Sequence, residues 1–343
     1  MHMADALLSP AVGATFWAGT LGTIAYCSRK LKEGMDEKMV PLMGVLGAFI
    51  FAAQMINFTI PGTGSSGHLG GGMILAIVLG PHAAFIVMAS VLTVQAFFFA
   101  DGGLLALGCN IWNLGMYPCF IAYPLIYRPL VRAGAVPGRI TAASLLSGAA
   151  GLQLGAFSVV IQTLLSGRSV LPFSTFLLVM QPIHLGIGVV EGFVTAGVIN
   201  FIRSARPEIL EGASSFRPLP AGIPIRKVAV VLLISAVLTG GVLSWFASSN
   251  PDGLEWAIEK TFGKPEIPGH ETGITKTLKS VQEKTSFLPE YGFRKSQGKE
   301  TKGGSDRSVA ETETSVSGII GSVLVLVLVL TVGAGIRAIR RKG

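Results

Sequence analysis

The most specific chemistry in this chain sits in its first two residues, Met1-His2. A free α-amine, the next amide nitrogen and the imidazole of residue 2 can close fused chelate rings around one divalent ion. A late first-row ion such as Ni²⁺ or Cu²⁺ displaces the amide proton and favours a tetragonal nitrogen field. The bulk of His2 also disfavours removal of Met1, which keeps the amine in place. The competing reading is a histidine without consequence in an exposed terminus. His68 weighs against it, because it lies in the stretch PGTGSSGHLGGG. Glycines let a backbone approach closely and take positive φ, so this loop can turn inward and deliver a fourth nitrogen. No GxxxxGK[ST] occurs anywhere in the chain, and we expect no ATP hydrolysis by it.

The other histidines carry less. His82 follows Gly-Pro at a helix break and His184 lies in an apolar run, so both read as satisfied interior residues; His270 reads as solvated. Polar groups inside apolar runs are costly in hydrocarbon and generally face a protein interior. Here they are Gln54, Asn57, Gln95, Asp101, Asn110, Asn113, Gln153, Gln181 and Glu191. We take Asn57, Gln95, Asp101, Asn110 and Asn113 as candidates for orienting metal ligands from behind. Others will join helices by hydrogen bonds, and Gly186, Gly188 and Gly192 read as close helix packing. Cys27, Cys109 and Cys119 show no CxxC pairing and read as small buried hydrophobes.

Such groups need a scaffold, and the composition says which kind. Only 13% of the 343 residues are charged and half are hydrophobic, where a soluble domain carries about 25% charged residues. Long apolar runs separated by short basic loops mark an all-α integral membrane protein. The net charge of +8 is therefore a topology signal at the ends of runs, and no nucleic-acid partner is expected. Spanning helices are expected near 10–27, 41–60, 139–165, 174–202, 227–246 and 318–336. Between the uncharged loop 61–69 and the basic loop 128–139 the chain must cross an odd number of times. That gives three short crossings, near 71–88, 90–108 and 109–127, interrupted by Gly80-Pro81-His82 and Asp101-Gly102-Gly103. Broken helices at membrane depth must be covered by protein, so this stretch is expected inside the bundle. The count is seven helices plus two. Basic loops then put the N-terminus outside and the C-terminus in the cytoplasm, in a multi-pass protein of the cell membrane. Residues 1–203 form the first part, 204–226 a cytoplasmic linker, and 227–343 a second part of helix, outer loop and helix. The stretch GKETKGGSDRSVAETETS in that loop is poor in apolar residues and reads as disordered.

Three motifs now converge: Met1-His2, NFTIPGTGSSGHLGG from Asn57, and QAFFFADGGLLALGCNIWNLG from Gln95. Together they resemble the CbiM/NikM family, the substrate-binding components of energy-coupling-factor (ECF) transporters for cobalt and nickel. The resemblance covers roughly residues 1–203. It implies a seven-helix bundle with the N-terminus inserted among the helices. It implies a metal held by the Met1 amine, the His2 amide and imidazole, and the imidazole of His68. In the second part, Asn250-Pro-Asp-Gly-Leu-Glu255 looks like the PDGLE motif of the small CbiN/NikN component. Its implied role is to lie against the metal entrance and assist loading or release. The family's opening is typically Met-His-Ile-Pro-(Asp/Glu)-Gly, whereas this chain reads Met-His-Met-Ala-Asp-Ala, which puts the path of the following turn in question.

The reading is thus an ATP-driven importer's binding subunit, not an enzyme. Its cargo is Ni²⁺ or Co²⁺, it needs no cofactor, and its partners are a membrane coupling (T) component and a cytoplasmic ABC-type ATPase. The alternative is an ion-coupled secondary metal transporter or channel working through Asp101 and Glu191. A membrane enzyme ranks last, because four nitrogens in a plane leave little of the open coordination that catalysis wants.

Overall fold

The computed structural model describes residues 2–34, 39–132, 134–167, 170–210, 225–265, 267–268, 273–294 and 307–342. Met1, His270 and most of the linker, 211–224, lie outside them. Pro10, with its φ preset for a first turn, opens α1 (Pro10–Gly34), and α2 (Met39–Gln54) follows. The chain then leaves the helix earlier than expected. Residues 58–67, anticipated as helix end and loop, form a two-stranded antiparallel hairpin, β1 (Phe58–Ile60) with β2 (Ser65–Gly67). Gly62 and Gly64, at φ +77° and +75°, make its turn possible.

The region 70–127 holds three helical pieces, but their joints differ from the expected ones. α3 (Gly72–Leu79) stops at Gly80, and Pro81 opens α4 (Pro81–Phe98). The joint expected at 88–90 is therefore at Gly80-Pro81. An apolar run gives no stop signal by itself, whereas Pro removes a donor and ends the preceding helix. Eight residues span only about 12 Å, so α3 cannot cross a bilayer alone, and each of its residues is buried. The second joint is the irregular segment Phe99–Ala106, which contains Asp101-Gly102-Gly103, rather than 108–109. Beyond it α5 (Leu107–Ile111) continues through two π-helical stretches, Trp112–Met116 and Pro118–Tyr127, into α6 (Arg128–Arg132). Pro118 and Pro124, lacking amide donors, sit inside the wider winding.

α7 (Pro137–Leu165) and α8 (Phe173–Ala205) pack against each other over much of their length. A Cβ on Gly192 would lie 2.5 Å from the Leu145 Cα, and one on Gly188 2.7 Å from the Ala149 Cα. These two glycines let the backbones touch, as small residues do in membrane helix pairs. Gly186 differs: it faces Ile60 of the hairpin at an ordinary 3.6 Å.

The second part packs on the first. α9 (Ile225–Gly241) and the last helix, α12 (Arg307–Lys342), lie against α2. Gly44 of α2 receives Leu326 and Leu330, Gly47 receives Val325, and Gly321 of α12 receives the Phe51 ring. The VLVLVLVL run is helical despite its alternation. Between these helices lie α10 (Gly253–Phe262) and α11 (Gly273–Thr285). The stretch read as disordered is corrected in part: from Arg307 it is helix, and 295–306 lie outside the described residues. Among the described residues, four helices are long and apolar enough to cross a membrane: α4, α7, α8 and the 312–340 part of α12. The all-α membrane architecture read from the sequence is the one observed, with the hairpin as a local addition.

Gly192→Val tests the α7–α8 contact. Overpacking costs about 1–3 kcal/mol, so its melting temperature in detergent should fall clearly below that of Gly197→Val, whose Cβ meets nothing within 4 Å. Equal melting would refute the close approach.

Candidate metal centre

Met3 is fully buried, so its peptide groups need partners inside the protein. Asn110 supplies two: its Oδ1 accepts from the Met3 amide (2.8 Å) and its Nδ2 donates to the Met3 carbonyl (3.2 Å). The Gly103 amide also donates to the Met3 carbonyl, at 2.9 Å. One turn on, Asp5 Oδ1 accepts from the Ala106 amide at 3.0 Å and so ties the segment to the start of α5. Burial raises the Asp5 carboxyl above its ordinary range, and the Ala106 and Leu105 amides oppose that rise. A side chain at Gly103 would collide with Asp5 itself. The Ala4 substitution leaves the turn intact: Ala4 sits at φ −79°, ψ 155°, the conformation a proline would enforce there. A short 3₁₀ turn, Asp5–Leu7, follows.

This anchoring presents His2 to a polar relay. His2 Nε2 lies 3.2 Å from Gln95 Oε1, Gln95 Nε2 donates to Gln54 Oε1 (2.9 Å), and Gln54 Nε2 donates to the Gly70 carbonyl (2.8 Å). A carbonyl only accepts, so the direction of the whole chain is fixed from Gly70 backwards. Gln95 must then show its oxygen to His2, which assigns the hydrogen to Nε2 and a lone pair to Nδ1. By the same logic His68 Nδ1, 3.0 Å from the Leu69 carbonyl, carries its hydrogen and leaves a lone pair on Nε2. The two imidazole rings stack with centroids 4.9 Å apart at 24°. Burial drives both imidazoles down to about 3, so both are neutral near pH 7, the form that ligates a metal. Asp101 Oδ1 lies 3.4 Å from His2 Nδ1 and adds negative charge there.

The loop carrying His68 is positioned from below. Glu191 Oε2 accepts from the Gly70 amide at 2.8 Å, and a Cβ on Gly70 would sit 2.8 Å from that oxygen. Only glycine fits between Glu191, Leu152 and Leu114.

The second part covers the site at two points. At the hairpin, the Ser66 amide donates to the Pro251 carbonyl (2.8 Å), Ser66 Oγ to the Asn250 carbonyl (2.7 Å) and Trp256 Nε1 to the Thr63 carbonyl (3.0 Å). Asp252 then caps α10 in a capping box with Glu255. Burial alone would raise the Asp252 carboxyl; the positive charge of the amino end and the bond from the Glu255 amide bring it down to about 2. At the Phe99–Ala106 segment, Gln282 Nε2 donates to the carbonyls of Ala96 (2.9 Å) and Gly102 (2.7 Å). Tyr291 OH donates to Asp101 Oδ2 at 2.5 Å, and the Tyr291 and Phe99 rings stack at 5.0 Å.

Of the candidates read from sequence, His2, His68, Gln95 and Asp101 come together, and Met1 lies outside the described residues. Asn110 and Asn113 reach Met3 rather than an imidazole: Asn113 Nδ2 lies 3.7 Å from the Met3 sulfur and pairs with Gln162 at 2.9 Å. Asn57 joins only through its backbone carbonyl, which accepts from the Ser248 amide at 2.7 Å. Gln54 emerged from the wider set of interior polar residues, while Gln282 and Tyr291 gave no signal of their own. Among the described residues no three His, Cys, Asp or Glu side chains converge on one point. A chelate using the N-terminal nitrogens does not need them to. His82 packs between Tyr26 and Phe120 (5.5 and 5.8 Å), and the three cysteines are free and buried.

Residues 2–209 match the family described as the cobalt uptake substrate-specific transmembrane region, and residues 226–338 match the PDGLE domain. A putative fused nickel transport protein, NikMN, of Archaeoglobus fulgidus is 34% identical over 235 residues, 68% of this chain and 75% of the relative. The fused nickel transport protein NikMN of Rhodobacter capsulatus is 31% identical over 290 residues, covering 80% of this chain and 81% of the relative. A solved transition metal transporter superposes with a TM-score of 0.54 at 29% identity, covering 61% of this chain and 95% of that one.

Asn110→Ala removes two bonds to the Met3 backbone, each worth about 1 kcal/mol. Hydrogen exchange at the Met3 amide should quicken roughly tenfold or more, with exchange in α7 unchanged. An unaltered Met3 rate would mean that Asn110 does not anchor the segment.

Proposed function

This chain belongs to the CbiM family of cobalt-uptake transmembrane proteins, and from that premise we propose that it is the substrate-binding component of an ATP-driven ECF importer for cobalt or nickel. It is a multi-pass membrane protein of cobalt/nickel transport, with a PDGLE-type part as its second half. The finer reading is capture of one divalent ion on the outer face by the Met1 amine, the His2 amide and Nδ1, and His68 Nε2. The observation that carries it is the stacked His2–His68 pair, with each hydrogen assigned to the nitrogen turned away from the lone pair needed. Amide coordination requires loss of a proton, which favours a late transition ion over Mg²⁺ or Ca²⁺. Asp101 offsets the ion's charge, and Gln95 holds the His2 ring by its Nε2 hydrogen, as outer partners of metal-bound histidines do. The amino end then faces outward and the carboxyl end the cytoplasm, in keeping with the basic loops.

No nucleotide motif occurs in the sequence, so energy comes from partners: a membrane coupling component and a cytoplasmic ABC-type ATPase. Their movement would expose the site inward. The alternative, ion coupling through Asp101 and Glu191, is weaker on the contacts. Glu191 is engaged by the Gly70 amide and Asp101 by Tyr291, which suits positioning rather than proton carriage.

In equilibrium dialysis of the purified chain with Ni²⁺ or Co²⁺, acetylation of the α-amine, His2→Ala and His68→Ala should each abolish tight binding. Gln95→Leu should weaken it by about 10–100-fold, the usual cost of losing an outer partner. Stoichiometric tight binding in all three ligand-deficient forms would reject the chelate.

A further inference from the structure

His184 does not behave as the satisfied interior residue its sequence setting suggests. It is 1% exposed, and its Nδ1 lies 2.8 Å from the Met180 carbonyl, one turn back in α8. That carbonyl can only accept, so Nδ1 carries the hydrogen and Nε2 a lone pair. Nε2 is buried and has no hydrogen-bond partner. A basic nitrogen left so in an interior is costly, and its surroundings offer a use for it. The ring borders a small cavity, with room for about one water or one bare ion, that is also lined by His68, Gly70, Asp252 and Gly253.

Three separate elements build this cavity. The hairpin brings His68, whose Nε2 bears the lone pair assigned above. α8 brings His184. The PDGLE turn brings Asp252, held by the Ser66 bonds to Asn250 and Pro251. Asp252 Oδ1 accepts from the Leu254 and Glu255 amides, both at 2.8 Å, so the carboxylate is fixed at the start of α10. Gly253 makes the approach possible: a Cβ there would lie 3.2 Å from His184 Cε1, 2.8 Å from Ile183 and 3.0 Å from Ile187. Two neutral imidazoles and one carboxylate are a donor set suited to Ni²⁺ and Co²⁺.

We propose that this cavity is a second divalent-metal position, in which His184 Nε2 and the Asp252 carboxylate take the ion, and His68, whose one lone pair serves a single ion at a time, passes between it and the N-terminal chelate. The three groups line the cavity without converging on one point, so an ion there binds more weakly than at the chelate. The position lets the ion pass between two sites by exchanging ligands around His68, never bare. The PDGLE segment is then a contributor of a ligand and not merely a cover.

The proposal rests on the chelate reading, and the following experiment separates the two. Co²⁺ binding to the purified full chain is titrated by calorimetry into the millimolar range. The unaltered chain should show one tight and one weaker event. His2→Ala should lose the tight event and keep the weaker one. Asp252→Asn and His184→Gln should keep the tight event and weaken the second at least tenfold. Asn caps helices as well as Asp does, so Asp252→Asn keeps α10 in place while removing the charge. A second event absent from the unaltered chain, or unchanged in both Asp252→Asn and His184→Gln, overturns the second position. A tight event surviving in His2→Ala overturns the chelate instead.

Discussion

A chain end can lie among apolar helices only if its peptide groups are paired there, and the rest of this structure follows from how that pairing is met. Asn110 takes both polar groups of Met3, Gly103 adds a third bond, and Asp5 closes on Ala106. Each partner comes from the interruption between α4 and α5 or from the turn after it. The broken helix is thus the socket for the N-terminus. An unbroken α4–α5 would have its amides and carbonyls committed within the helix and could offer the segment only side chains such as Asn110.

The same logic explains why the site has two supporting shells of different kinds. Within the bundle the support is a directed relay, Gly70 to Gln54 to Gln95 to His2, anchored at one end by a backbone carbonyl. From the second part the support is mostly main-chain: Ser66 with Asn250 and Pro251, Ser248 with Asn57, Gln282 with Ala96 and Gly102. Apart from the Ser66 hydroxyl, these bonds use main-chain groups on the bundle side and so demand few particular side chains there. Tyr291 and Asp101 pair side chain to side chain, and they link the outer loop to the neighbourhood of His2.

Much of this was legible in the residues. The apolar runs fix the helices, the Gly-Pro and Asp-Gly-Gly interruptions mark the broken region, and Met1-His2 with His68 mark the ligand candidates. Polar residues in apolar runs pointed to an interior network, and Gln95 and Asp101 lie in it. What was not legible depended on tertiary neighbours. Asn57 and Gln54 are both amide side chains near the end of α2, and only the fold decides that Gln54 reaches the relay while Asn57 lends its carbonyl. His184 looks like any buried histidine until its ring, with an unpaired nitrogen, is seen to border a cavity that Asp252, some seventy positions away, also lines. Tyr291 sits in a hydrophilic loop whose local pattern predicts nothing about Asp101. The hairpin was missed because glycine-rich sequence carries weak strand signals.

Joining the two halves in one polypeptide has a consequence for how tightly they must hold each other. α9 and α12 flank α2, and the covalent link to the bundle raises the effective concentration of one part at the other toward the order of millimolar. An interface too weak to survive dilution between separate chains can therefore stay almost fully occupied here. The contacts over the hairpin and the Phe99–Ala106 segment can then be kept few and reversible. Release of that cover becomes a first-order event, with a rate independent of how much protein the membrane contains.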